Sequence, residues 1–280
     1  MRPNRIVCLL LCLLLAAGCA AAEREEDVQS VTALNIRQRL NYTEIKHRLA
    51  RYPNLQKVDM YNMPVTAAQA DELAALYPQV EFGWTLRIGD HRIRTDAEAF
   101  STLHRSGAKG HSTKELSALR YCKKLKALDI GHNNVDDLSW IAELVDLRVL
   151  IIAINRITDL SPLAGLKKLE YLEVFSNRVT DLSPLQGLPR LMDLNIGYNR
   201  IEDFSPLSGM TQLKRLWLFR AANRGIPGVP QDVIDMLKEK LPGTQINWKS
   251  EPTLGGWRDH PHYDTIKEMF QGTWYIPFTD

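Results

Sequence analysis

From Leu125 the chain repeats every 22 residues, with copies opening at Leu125, Leu147, Leu169 and Leu191 and a fifth at Leu213. A unit this short buries no core of its own, so the copies must stack and share one. Each keeps Leu, Ile or Val at its first, fourth and sixth places, and the first four keep Asn133, Asn155, Asn177 and Asn199 at the ninth. In the third copy Leu172 and Val174 are two apart and share the inner face of a short strand, while Tyr171 and Glu173 look the other way. An amide side chain both donates and accepts. The four asparagines are therefore expected to form a ladder that satisfies the turn backbone and links one coil to the next. Ser161-Pro162-Leu163, Ser183-Pro184-Leu185 and Ser205-Pro206-Leu207 read as a Ser N-cap followed by Pro at the first helical position. The residues left before the next strand suffice for one 3₁₀-like turn.

The frame Leu-x-x-Leu-x-Leu-x-x-Asn-x-Ile-x-Asp-Leu-x-Pro-Leu-x-x-Leu resembles leucine-rich repeats, and its period is similar to the internalin-type subclass found on bacterial surfaces. The resemblance implies an α/β solenoid, with short parallel strands on the concave face and 3₁₀ turns on the convex one. Trp140-Ile141 replaces Pro-Leu in the first copy, and Ala221 stands where Asn is due in the fifth. The array is accordingly placed at 125–248, including a larger last repeat.

The chain starts with Arg2 and Arg5, an apolar run from Ile6 to Ala17, and Gly18-Cys19. This reads as a secretory leader over 1–18, too short for the roughly 20 residues of a spanning helix. Leu15-Ala16-Ala17-Gly18-Cys19 resembles a bacterial lipobox, which implies lipidation at Cys19. Beyond the leader only Cys19 and Cys122 remain, so no disulfide framework is available and Cys122 is expected as a buried structural thiol. Removing Arg2 and Arg5 takes Lys+Arg from 35 to 33 against 33 Asp+Glu, a formal charge of zero with nothing that favours nucleic acid.

Residues 20–40, with Glu23-Arg24-Glu25-Glu26-Asp27, read as a flexible tether. Residues 41–124 read as an N-terminal cap. In it Leu55 to Asn62 restates the strand frame, Thr66 caps a helix running to Leu76, and Val80, Phe82, Trp84, Leu86 and Ile88 alternate as a strand. Gly89-Asp90 then turns a hairpin, and Ser112-Thr113-Lys114-Glu115 forms a capping box. Leu237 to Trp248 parallels Leu73 to Trp84, so helix-containing caps are expected at both ends of the array. Residues 249–280 form a C-terminal flank without repeats.

His260-Pro261-His262-Tyr263-Asp264 offers imidazoles and carboxylates that zinc accepts, but Pro261 separates the histidines and a third imidazole is not nearby. A cap segment pinned by Trp257 and Arg258 is the simpler reading. Nucleophile and phosphate-loop motifs are missing, so neither enzyme activity, metal nor cofactor is expected. A metal-dependent hydrolase with its site in the tail, or a structural envelope spacer, are the alternatives. Asn41-Tyr42-Thr43 matches a glycosylation acceptor by accident.

The outward strand positions point to a concave binding face for a protein or glycan. Its expected contacts are Ile151, Tyr171, Glu173, Phe175, Asp193, Asn195, Tyr198, Arg215, Trp217 and Phe219. Small residues at Gly131, Ala153 and Gly197 alternate with Phe175 and Phe219, making hollows beside aromatic ridges on a strip on the order of 20 Å long. Exposed apolar strips of this kind mark binding sites. The competing reading is that the tail after Thr253, or the hairpin near Gly89, folds back over the strip. The sequence thus describes a secreted, lipid-anchored recognition protein at the outer face of a bacterial membrane or in the envelope.

Overall fold

A computed structural model describes residues 28–102, 110–220, 225, 227–251, 253 and 256–279. The expected leader, Cys19 and Ala221 lie outside the described residues. The chain divides into two compact units, Met1–Thr85 and Leu86–Asp280. No helix among the described residues is long and apolar enough to cross a membrane.

In the first unit β1 (Ala33–Asn35) runs parallel to β2 (Lys57–Val65), and β3 starts at Glu81 beside β2. Helices α1 (Tyr42–Leu49) and α2 (Ala67–Leu76) connect them. Asn41 and Thr66 cap the two helices with complete capping boxes, which gives Asn41 a structural use in its own turn. Where a tether is expected over 20–40, β1 occupies Ala33–Asn35. Ile36 is 2% exposed, and Thr32 accepts the Gln56 and Lys57 N–H groups. The acidic run before it obscured Ala33-Leu34-Asn35-Ile36, which pairs because β2 offers an edge.

The second unit begins as β3 ends at Ile88, turns at Gly89 with φ +57, and continues into β4 (His91–Arg94). Short helix α3 (Thr113–Leu116) carries the Ser112–Glu115 capping box. A parallel ladder of seven strands follows: β5 (Ala99–Ser101), β6 (Ala127–Asp129), β7 (Val149–Ile151), β8 (Tyr171–Glu173), β9 (Asp193–Asn195), β10 (Arg215–Trp217) and β11 (Gln245–Asn247). Its register aligns equivalent repeat positions, as in Val149↔Tyr171↔Asp193↔Arg215. The solenoid thus extends beyond the array placed at 125–248, because β5 pairs with β6 from a longer coil that the 22-residue period does not reveal.

Leu128, Leu150, Leu172, Leu194 and Leu216 are fully buried on the inner face. Behind them the asparagines bridge coils. Asn177 accepts the Ile157 N–H at 3.0 Å and donates to the carbonyls of Ile152 at 2.9 Å and Val174 at 3.0 Å; Asn155 and Asn199 repeat this. Asn133 accepts the His111 N–H at 2.6 Å and donates to Thr102 and Ile130. The residue before each asparagine, His132, Ile154, Ser176 or Tyr198, is left-handed with φ between 53 and 58°.

The convex 3₁₀ turns at Ser161–Leu163, Ser183–Leu185 and Ser205–Gly209 differ from expectation at their start. Leu160, Leu182 and Phe204 occupy the cap position, and serine does not cap. The N–H groups a Ser161 cap would take are already bound, Leu163 to Leu160 O and Ala164 to Ser161 O. Instead Asp159, Asp181 and Asp203 each accept the N–H of the serine two residues on at 2.8 Å. Cys122 is fully buried, and burial pushes its thiol up. Beyond β10 come α4 (Gln231–Lys240), β11, and α5 (Pro261–Gly272) in the flank.

Candidate functional site

The register brings the expected concave residues side by side, but the flank lies on top of them. Ile151, Phe175, Asp193, Asn195, Arg215 and Trp217 are between 0 and 5% exposed, as are Tyr171 and Glu173. Trp257, Ile266, Met269 and Phe270 pack with Tyr171, Phe175, Ile151 and Trp217 in one apolar cluster. The covering element is amphipathic: His262, Ile266, Met269 and Phe270 are the buried face of α5. The open strip expected for Ile151, Tyr171, Glu173, Phe175, Asp193, Asn195, Arg215 and Trp217 is corrected accordingly. These rings and charges leave water only by being covered, and the tail carries the matching apolar face.

Polar groups under the tail are paired through it. Arg215 donates from Nε and a terminal nitrogen to the two Asp193 oxygens, both at 2.8 Å, and His262 Nδ1 lies 2.6 Å from Asp193 Oδ2. Arg215 also donates to the Trp257 carbonyl at 3.2 Å and sits 4.5 Å over the Trp257 ring. Burial works against the Asp193 charge, yet Arg215 and His262 outweigh it and hold the carboxyl below its ordinary range. Glu173 accepts from Trp257 Nε1 at 2.7 Å and from the Tyr171 hydroxyl, while its other oxygen has no partner among the described residues. Burial dominates there and raises its affinity for a proton. Burial likewise pushes Asp129 up to about 7, against hydrogen bonds from Gly131 N–H and Ser101 Oγ.

The tail histidine rings stand 4.3 Å apart, and among the described residues they join no group of three ligand-type side chains. His260 caps α5 by accepting the His262 N–H at 3.2 Å, and His262 is committed to Asp193 and stacked on Phe278 at 4.3 Å. With Glu173 and Asp193 at 0% exposure, no substrate atom reaches these carboxylates while the tail is seated.

Tyr198 and Phe219 sit at the margin of the covered face. Phe219 is half-buried, and Tyr198 packs against it edge to face at 5.3 Å and donates to Glu251 at 2.9 Å. Beside them opens a cleft of about 630 Å³ whose lining includes Ser176, Arg178, Tyr198, Arg200, Glu202 and Arg220. Arg178 and Arg200 follow the ladder asparagines in successive coils, so their backbones are pinned by N–H bonds to Ile157 O and Val179 O at 2.8 and 2.9 Å. Arg220 stands 5.8 Å over the Phe204 ring, and burial lowers its basicity against the pull of Glu202. Its Nε is buried without a partner among the described residues. Sequence reasoning placed Arg220 among the outward strand positions but missed Arg178 and Arg200, although Asn-Arg recurs at Asn155-Arg156, Asn177-Arg178 and Asn199-Arg200.

A model described as Leucine Rich repeats (2 copies) matches residues 145–187, and one described as Leucine Rich repeat matches 121–139. No curated protein matches the chain. Similar solved structures include an internalin C2 from Listeria monocytogenes, 22% identical with a TM-score of 0.41, covering 80% of this chain and 84% of that one. Another is an internalin from the same organism, 23% identical with a TM-score of 0.36, covering 75% of this chain and 67% of that one. A leucine-rich repeat protein of Leptospira interrogans is 16% identical with a TM-score of 0.38, covering 80% of this chain and 52% of that one.

Proposed function

We propose that this chain is a non-enzymatic recognition protein, secreted and lipid-anchored through Cys19 in a bacterial envelope, which holds an acidic protein or glycan segment at the edge of its repeat ladder. A leucine-rich repeat scaffold supports protein interaction in general. The observation that carries the finer reading is the cleft beside Tyr198, where Arg178 and Arg200 stand on hydrogen-bonded coils and Arg220 has a buried donor without a partner among the described residues. An entering carboxylate or phosphate oxygen completes that guanidinium, and planar forks favour such anions. The Tyr198 ring, which lines the cleft and packs on Phe219, supplies an apolar wall for the rest of the ligand.

The concave face under α5 is not the favoured seat, because a ligand there must first break the Arg215–Asp193–His262 arrangement. The test uses a fluorescent oligoglutamate peptide and an oligogalacturonate as probes, titrated at low and high salt. One of them should bind with an affinity that falls with salt, and Arg178→Ala combined with Arg200→Ala should weaken it more than tenfold. Equal binding by the variant, or binding of neither probe, overturns the edge site.

A further inference from the structure

Away from the ladder edge, three ligand-type side chains meet at the turn between β3 and β4. The donor atoms of Asp90, His91 and His111 all lie within 4.8 Å of one another. His91 and His111 are 8 and 7% exposed, with ring centroids 5.3 Å apart, whereas Asp90 is exposed at the tip of the turn. The His91 Nε2 to Asp90 Oδ1 separation is 3.6 Å. That is close to the edge of about 3.4 Å in a tetrahedron built on metal bonds of about 2.1 Å.

His111 carries the argument furthest. Its Nε2 is buried without a hydrogen-bond partner among the described residues. Its other nitrogen, Nδ1, lies 3.9 Å from Glu115 Oε1, and Glu115 is held by the backbone N–H and hydroxyl of Ser112 at 2.9 and 2.8 Å. A carboxylate beside the imidazole of a ligand-type histidine matches the outer-shell environment of metal-bound histidine. The backbone is fitted to the same end. Gly89 has φ +57, and a Cβ there would stand 2.6 Å from His111 Cε1, so glycine lets the turn lie against the imidazole.

We infer that Asp90, His91 and His111 bind a divalent cation of the zinc class, with Glu115 positioning His111 and water completing the coordination. The two imidazoles and one carboxylate suit zinc, cobalt or nickel rather than calcium or magnesium, which prefer all-oxygen sites. The cation would fasten the β3–β4 turn to the segment just before α3, and binding would stabilise the fold.

Cobalt(II) titration of the purified full chain tests this. One equivalent should bind with visible bands of tetrahedral intensity and without the sulfur-to-cobalt absorption that a cysteine thiolate would give, and zinc should displace it. His111→Gln should lower affinity at least tenfold. Asp90→Asn changes an exposed residue, so it keeps the fold while weakening the metal by a similar factor. Zinc should raise the melting midpoint of the native chain and leave that of His91→Gln/His111→Gln unmoved. Failure of the native chain to bind cobalt, or equal uptake by the folded variants, overturns the site. The oligoglutamate and oligogalacturonate titrations are unaffected either way.

Discussion

Trp257 donates its indole N–H to Glu173 at 2.7 Å across 84 positions of sequence. One side chain thereby supplies the lid for Tyr171 and Trp217, with ring centroids 5.3 Å from each, and the donor for a carboxylate at 0% exposure. Trp257→Phe keeps most of the ring and removes the donor. Chemical denaturation at pH 8 should show a loss of about 1–3 kcal/mol. The loss should shrink at lower pH as Glu173 takes up a proton, and an unchanged midpoint at pH 8 would contradict the pairing.

Phe175→Ala combined with Trp217→Ala separates a covered concave face from an open one. Both residues are at most 3% exposed, so truncation should remove several kcal/mol, about 3–5 at each site before coupling. An open binding strip would leave the denaturation midpoint nearly in place.

Asp129 should make stability fall as pH rises. Its folded value is pushed up to about 7 from 3.8, so between these limits the folded chain keeps a proton that the unfolded chain has released. The stabilisation is complete below about 4 and lost by the time pH passes 7. Asp129→Asn preserves an acceptor for the Gly131 N–H and can still bond Ser101. It should gain about 2–4 kcal/mol at pH 8 and flatten the slope, with Glu173 leaving a remainder of the same sign. Urea midpoints from pH 4 to 8 check this.

Ser176 occupies the left-handed position of the third repeat with φ 57. Asn accepts that conformation more readily than Ser, while a β-branched residue resists it. Ser176→Asn should stabilise by about 0.5–1 kcal/mol and Ser176→Val should destabilise by about 1–2. Equal melting midpoints for the two variants would contradict a strained turn.

The ladder is legible in the sequence because its chemistry recurs in register. Leu172 and Val174 mark the strand face, and Asn177 marks the turn, in a pattern shared with the neighbouring coils. β5 is obscured because Ala99 stands 28 positions before its partner Ala127, outside the 22-residue spacing. The covering helix carried a readable stripe at His262, Ile266, Met269 and Phe270, but it occurs once and its partner is distant in sequence. The apolar and charged mixture of Tyr171, Phe175, Asp193, Arg215 and Trp217 suits an interior as well as an interface. Periodicity sends these residues outward without saying what meets them.

The last described segment returns to the first rung of the ladder: Thr273 O accepts the N–H groups of Glu98 and Ala99, both at 3.2 Å, while Trp257 grips Arg215 near the other end. Repeat stacks held only by adjacent coils can peel inward from either terminus. Here the tail acts as a clasp along the ladder, so that a pull on the C-terminus meets the clasp before any rung. Fraying and unlocking become one event, and the strands between the two grips share a single mechanical fate.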